Sequence, residues 1–205
     1  MNEDIKKIIE GRIGMYSFLS TVLLDIPPKD FLKDLMEDKV EFPKEKEIEE
    51  GAKILKDLAK RFKNVDDFER YVRQEYTLLF VGPLDFISPY QSSYEGEVPY
   101  GNVTLKIKDF YVKCGYEYKH FEPADHIGVE LAFMAESCKE LLKGNMEELK
   151  NQKKFINELE KWVFKLCDKI ENHPEARFYK GIARILRGFI KLDKNLINVL
   201  LTIKE

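Results

Sequence analysis

The chain has 205 residues, enough for one well-cored domain. Hydrophobic residues at 44% and aromatic residues at 12% are the balance of a folded globular protein, not of a disordered one. Charged residues reach 35%, but the signs are mixed and the net charge is only −3, which argues against a nucleic-acid binder held by phosphate neutralisation.

From Ile5 to Leu24 the apolar residues Ile9, Ile13, Tyr16, Leu19 and Leu23 recur every three or four positions, one face of a helix. Pro27-Pro28 ends or restarts it, and a short helix with proline in its first turn is expected next. A charged link over residues 39–47, carrying Pro43, precedes a helix from about Glu45 to Phe62. Asn64 or Asp66 then caps a further helix whose stripe is Phe68, Val72, Tyr76, Leu79 and Phe80.

Gly82-Pro83 stops that helix, and a connection running to Tyr100 follows. Connections of more than about 12–15 residues are uncommon in compact domains unless they are functional or disordered. This one carries Phe86, Tyr90, Tyr94 and Tyr100, too apolar for a solvated linker. Val103 to Lys113 reads as a helix, and residues 116–122 as an aromatic linker. Pro123 is expected to open a helix with Ile127, Leu131, Met134, Cys138 and Leu141 on one face. Phe155 to Ile170 forms another, ended by His173-Pro174. A last pair is expected around Ile182–Phe189 and in the tail Leu196–Ile203. No segment alternates with period two, so the reading is all-α, a single-domain helical bundle over 1–205.

The start, Met-Asn-Glu-Asp, lacks a basic region followed by an apolar run, and no apolar stretch is long enough to span a bilayer. A cytoplasmic protein without stable membrane insertion is expected. Cys114, Cys138 and Cys167 are isolated within apolar-periodic segments and read as core residues, not as a zinc or redox motif.

The sharpest polar cluster is Glu122-Pro123-x-Asp125-His126-x-x-x-Glu130. With proline in a first turn, Asp125 and His126 lie near a helix N-terminus, where unpaired N–H groups favour an acceptor or anion. His126 and Glu130 share a helix face, as two metal ligands would, so a helical metal-dependent hydrolase is the enzymatic alternative. No third ligand is evident. Ser88, Ser92 and Ser93 lack a nucleophile elbow, and no glycine-rich phosphate motif occurs.

Three segments in order resemble the TorD/DmsD/NarJ family of cytoplasmic redox-enzyme maturation chaperones. They are Glu75-Tyr76-x-x-Leu79-Phe80-x-Gly82-Pro83, then Pro89-Tyr90-x-Ser92-x-Tyr94, then Pro123-x-Asp125-His126-x-x-x-Glu130-Leu131-x-Phe133-Met134. The chain departs from the family pattern at Ser88-Pro89-Tyr90, where two prolines and a tryptophan are common, and at Leu84, where an aromatic is common. The resemblance implies an all-helical fold of the TorD-like type, no catalytic activity and no cofactor. The implied partner is the twin-arginine signal peptide, or another terminal segment, of a molybdenum-containing oxidoreductase subunit, held back from export until that subunit is mature. The chaperone itself is expected as a monomer or homodimer.

The peptide-binding residues carried over are Tyr76, Leu79, Phe80, Tyr90, Tyr94, Asp125 and His126. Phe86 joins them as apolar wall. Two guanidinium groups followed by an apolar run call for an apolar groove with carboxylates at one end. Asp125 is therefore expected to be the main electrostatic contact, with Glu95 or Glu122 assisting. A nucleotide-responsive regulator is a further alternative suggested by the family, without a phosphate loop here to support it.

Overall fold

The computed structural model describes residues 2–83 and 86–203. Among them are eight α-helices: α1 (Glu3–Leu24), α2 (Lys29–Met36), α3 (Lys46–Ala59), α4 (Val65–Tyr76), α5 (Asn102–Lys113), α6 (Ile127–Leu142), α7 (Glu148–Asn172) and α8 (Phe178–Ile203). The only extended pairing among the described residues is an isolated antiparallel bridge between Tyr90 and His126. The helices gather into two compact units.

The first unit comprises Met1–Leu24, Pro89–Val163 and Ile190–Glu205. Its central pair is α1 against α6. The two can approach because Gly128 has no side chain: a Cβ there would lie 2.4 Å from Leu24 Cγ. Ser20 Oγ fixes the approach by donating to the Gly128 carbonyl at 2.7 Å. Across α1, α6, α7 and α8 runs a buried polar network. The Arg12 guanidinium donates to both oxygens of Asp193 and to Gln152 Oε1, and the Tyr16 hydroxyl donates to Asp193 Oδ2 at 2.6 Å. Gln152 Nε2 continues to Ser137 Oγ, which donates to Glu148 Oε2. Burial opposes the charge on Arg12, but Asp193 beside it more than offsets this and raises its pKa.

The second unit comprises Asp25–Ser88 and Phe164–Phe189. Asn64 caps α4, its side-chain oxygen accepting from the N–H of Asp67 at 2.9 Å, which resolves the choice between Asn64 and Asp66. Gly51 of α3 and Gly181 of α8 meet backbone to backbone, since a Cβ on Gly51 would lie 2.5 Å from the Gly181 carbonyl oxygen.

Two element boundaries differ from the sequence reading. First, α6 begins at Ile127, not at Pro123, because the backbone on either side of His126 is already paired with the long connection. The N–H of Gln91 donates to the Asp125 carbonyl, and the N–H of Ile127 to the Pro89 carbonyl, both at 2.9 Å. Second, the expected last two helices are one, α8, which continues through the polar stretch Lys191–Asn195. That stretch is no break, because Asp193 is buried against Arg12 and Tyr16. Cys138 and Cys167 are buried as expected, whereas Cys114 at the end of α5 is only half-buried.

Candidate functional site

In the first unit the long connection docks on the start of α6 through Asp125. The carboxylate is fully buried and both its oxygens are engaged. Oδ2 accepts from the N–H of Ser92 at 3.0 Å, inside a short 3₁₀ turn over Gln91–Tyr94, and Oδ1 accepts from the Thr104 hydroxyl of α5 at 2.7 Å. Thr104 Oγ1 also accepts from the N–H of Tyr100 at 2.9 Å. Tyr100 sits at φ +67°, a left-handed conformation costly for an aromatic residue, and it is 72% exposed. One buried carboxylate thus fixes the 3₁₀ turn and, through Thr104, holds an exposed tyrosine in a strained pose.

His126 is the N-cap of α6: its Nδ1 accepts from the N–H of Gly128 at 3.1 Å. Only an unprotonated Nδ1 can do this, and burial pushes the imidazole pKa down to about 4 against the opposing pull of Glu122 and Asp125. The Tyr90 ring meets His126 edge-on at 5.1 Å, and the Tyr90 hydroxyl donates to Glu122 Oε2 at 2.8 Å. One turn further along α6, Glu130 is buried and accepts from Trp162 Nε1 at 3.3 Å, while the Trp162 ring packs on Tyr94. Burial, and then the neighbouring Asp125, raise the Glu130 pKa well above the usual carboxylate range.

In the second unit the motif residue Glu75, in the last turn of α4, has a buried carboxylate that receives three backbone N–H groups where α8 begins. Oε1 accepts from Arg177 and Tyr179 at 2.9 and 2.8 Å, and Oε2 from Phe178 at 3.0 Å. These donors and the helix dipole favour the charged carboxylate, but burial outweighs them and raises the Glu75 pKa above the usual carboxylate value. The cap sets Tyr179 against Tyr76 and Phe80, with ring centroids 5.8 and 5.1 Å apart. A π turn over Thr77–Val81 follows, closed by the N–H of Gly82 donating to the Thr77 carbonyl at 2.7 Å. Leu79 is buried, whereas Leu78 and Val81 face solvent, as does Phe86 after the turn. Leu78 lines a shallow groove of about 510 Å³ with Arg73, Gln74, Thr77, Gly82 and Pro83.

The eight residues expected to line one groove therefore fall in two units. Tyr76, Leu79, Phe80 and Phe86 belong to the second, and Tyr90, Tyr94, Asp125 and His126 to the first. The latter four gather around the start of α6, while Tyr76 and Phe80 share one aromatic cluster. Leu84 lies outside the described residues. Local sequence gave no sign of Thr104 as the partner of Asp125, nor of Glu75 as a helix cap.

The hydrolase alternative finds no support. His126 Nδ1 is occupied by a backbone N–H, Glu130 is held against Trp162, and among the described residues no three His, Cys, Asp or Glu side chains converge as metal ligands. No helix among the described residues is long and apolar enough to cross a membrane.

A family model described as nitrate reductase delta subunit matches residues 44–168. A protein from Vibrio parahaemolyticus named chaperone protein TorD is 26% identical over 219 residues, covering 93% of this chain and 96% of that protein. One of the same name from Photobacterium profundum is 26% identical over 160 residues, covering 72% of this chain and 73% of that protein. The crystal structure of a candidate redox enzyme maturation protein from Archaeoglobus fulgidus aligns with a TM-score of 0.52 at 23% identity, over 85% of this chain and 91% of that one, a likeness of fold.

Proposed function

The chain belongs to the nitrate reductase delta subunit family, the TorD/NarJ group of redox-enzyme maturation chaperones, and from that premise we propose that it is a non-enzymatic cytoplasmic chaperone for a molybdenum-containing oxidoreductase subunit. Its client segment is a twin-arginine signal peptide or another terminal segment, retained until cofactor insertion is complete. The observation that carries this reading is the family match combined with apolar side chains left uncovered beside the family motifs. Leu78 and Val81 flank the buried Leu79, and Phe86 follows, 54% exposed. Such side chains suit the apolar run of a signal segment, which loses little by leaving water for an apolar surface.

The motif acid Asp125 enters this proposal as an organiser of the connection, since both its oxygens are engaged internally. Tyr90, with its hydroxyl on Glu122, and the half-buried Tyr94 are the motif side chains of the first unit that a client can reach with least rearrangement. Calorimetry with a synthetic twin-arginine signal peptide tests the reading. Leu78→Asp and Phe86→Asp, both at exposed positions, are expected to weaken binding at least tenfold while leaving the melting temperature unchanged. Full affinity in both variants would remove this face from the site, and no binding by the unaltered chain to signal or mature-terminus peptides of any molybdoenzyme would end the reading.

A further inference from the structure

Within the first unit, Glu130 is a buried acid that no ion pair compensates. Its Oε2 accepts from Trp162 Nε1 at 3.3 Å, and its Oε1 has no hydrogen-bond partner. We propose that Glu130 is a proton-operated latch for the Gln91–Tyr94 turn: the turn is held down while Glu130 keeps its proton and is released when the proton leaves to solvent. For a client the consequence rests on the chaperone reading, since Tyr90 and Tyr94 present a fixed surface only while the latch is closed.

The surroundings of Glu130 explain why the proton stays. The charged groups that act on it are acids: Asp125 before α6 most strongly, then Glu95 at the end of the turn and Glu158 on α7. The other titratable neighbours are neutral. Burial holds the Tyr111 hydroxyl of α5 in its protonated form, and His126, one turn earlier, is an uncharged N-cap. Lys106 and Lys161 are taken by Glu158, at 3.6 and 2.5 Å. A buried carboxyl among acids, with one neutral donor, holds its proton well into the pH range where an exposed carboxyl has lost it.

The turn is the side that yields. The backbone N–H groups of Gln91 and Ser92 both end on Asp125, at 2.9 Å to its carbonyl and 3.0 Å to its carboxylate. Yet Gln91 Oε1 and Ser92 Oγ, in residues fully buried, have no partner. Such atoms gain hydrogen bonds on reaching water, so opening the turn returns something for the contacts it breaks. Helices α6 and α7 are held along their lengths by apolar faces, whereas the turn has four residues. An ionised Glu130 puts a second negative charge beside the carboxylate that anchors this turn, in an interior of low dielectric. Lifting the turn lets water reach Glu130 and takes the Tyr94 ring from Trp162, 5.4 Å away when closed.

Trp162 is the only tryptophan and reports the opening directly. The test follows its fluorescence in the full chain from about pH 5 to pH 9, with amide exchange at Ser92 and the 13C resonance of the Glu130 carboxyl measured alongside. A transition above the usual carboxylate range is expected in all three, with Ser92 exchange at least tenfold faster beyond it after correction for intrinsic rates. Glu130→Gln, which keeps an acceptor for Trp162, should show neither the fluorescence transition nor more than a twofold change at Ser92. A Glu130 carboxyl that titrates in the usual range, a transition that persists in Glu130→Gln, or Ser92 protection unchanged while Glu130 ionises would each overturn the latch, and the first needs no variant. Signal-peptide affinity is measured on both sides of the transition. It is expected to fall at least threefold in the unaltered chain relative to Glu130→Gln. Equal affinity with the opening intact removes the latch from client control, and no peptide binding on either side ends the client reading while the spectroscopic latch stands.

Discussion

Asp125→Ala separates an organising carboxylate from a contacting one. The substitution removes the acceptor for two buried donors, the N–H of Ser92 and the hydroxyl of Thr104. Hydrogen bonds to a charged acceptor contribute about 1.5–3 kcal/mol each, so the loss is roughly 3–6 kcal/mol, and water entering the gap keeps it toward the lower figure. For a chain of this size about 3 kcal/mol lowers the melting temperature by roughly 6–12 °C. Asp125→Asn keeps an acceptor for Thr104 but turns a donor toward the Ser92 N–H, and is expected to cost about half as much. Urea unfolding gives the free energies, and amide hydrogen exchange should show Ser92 and Tyr100 losing protection first. An Asp125→Ala protein within about 0.5 kcal/mol of the parent, with intact Ser92 protection but lost peptide affinity, would refute the organising role and restore Asp125 as a direct contact.

Three further outcomes follow from the buried groups. Arg12→Met strands the Asp193 carboxylate and should cost roughly 3–5 kcal/mol, whereas Arg12→Met with Asp193→Leu should be more stable than either single variant; a double variant weaker than both would contradict the network. His126 ionises at about 4 when folded and near 6.5 when unfolded, so the unfolded chain gains its proton first and stability falls as pH drops from 6.5 to 4. The loss is roughly 3 kcal/mol, and His126→Asn, which keeps an N-cap acceptor, should flatten that part of the urea-unfolding profile. Glu130 has the opposite sign: its folded pKa is raised, so the stability it supports is present below the unfolded carboxylate value and is lost as pH rises. Glu130→Gln should therefore be close to neutral at pH 5 and increasingly stabilising toward pH 8; a variant less stable than the parent at pH 8 would count against a protonated Glu130.

The helices were legible because their apolar stripes are regular, and the caps and breakers at Asn64, Gly82 and His173-Pro174 lie where local chemistry puts them. Two errors share a cause. At Pro123 and at Lys191–Asn195, local sequence offers one backbone state and a distant partner imposes another: the bridge to Pro89–Gln91 delays α6, and the Arg12 pair carries α8 through a charged stretch. A signal for the second was available. Arg12 falls three residues after Ile9 and four before Tyr16, on the apolar face of α1, and a charge at such a position needs a buried partner. Of the site, the motifs marked the right neighbourhoods but not the roles, because an acid that caps a helix and an acid that meets a ligand look alike in one dimension. The gathering of the chain into two units depends on which helices touch, which periodicity does not encode.

Glu75, Asp125 and His126 use the same chemistry: each presents a buried side-chain acceptor to backbone N–H groups. A carboxylate so engaged can reach for a client arginine only by abandoning donors that then lie unsatisfied in the interior, a cost close to what the new pair would return. The motif acids are therefore better suited to holding surfaces in place than to being those surfaces. Glu75 fixes the turn that leaves Leu78 and Val81 uncovered, and Asp125 fixes the turn and the strained Tyr100 at the edge of the connection. It follows that changing the motif acids should alter stability first and affinity as a consequence, whereas changing the exposed Leu78 or Phe86 should alter affinity alone.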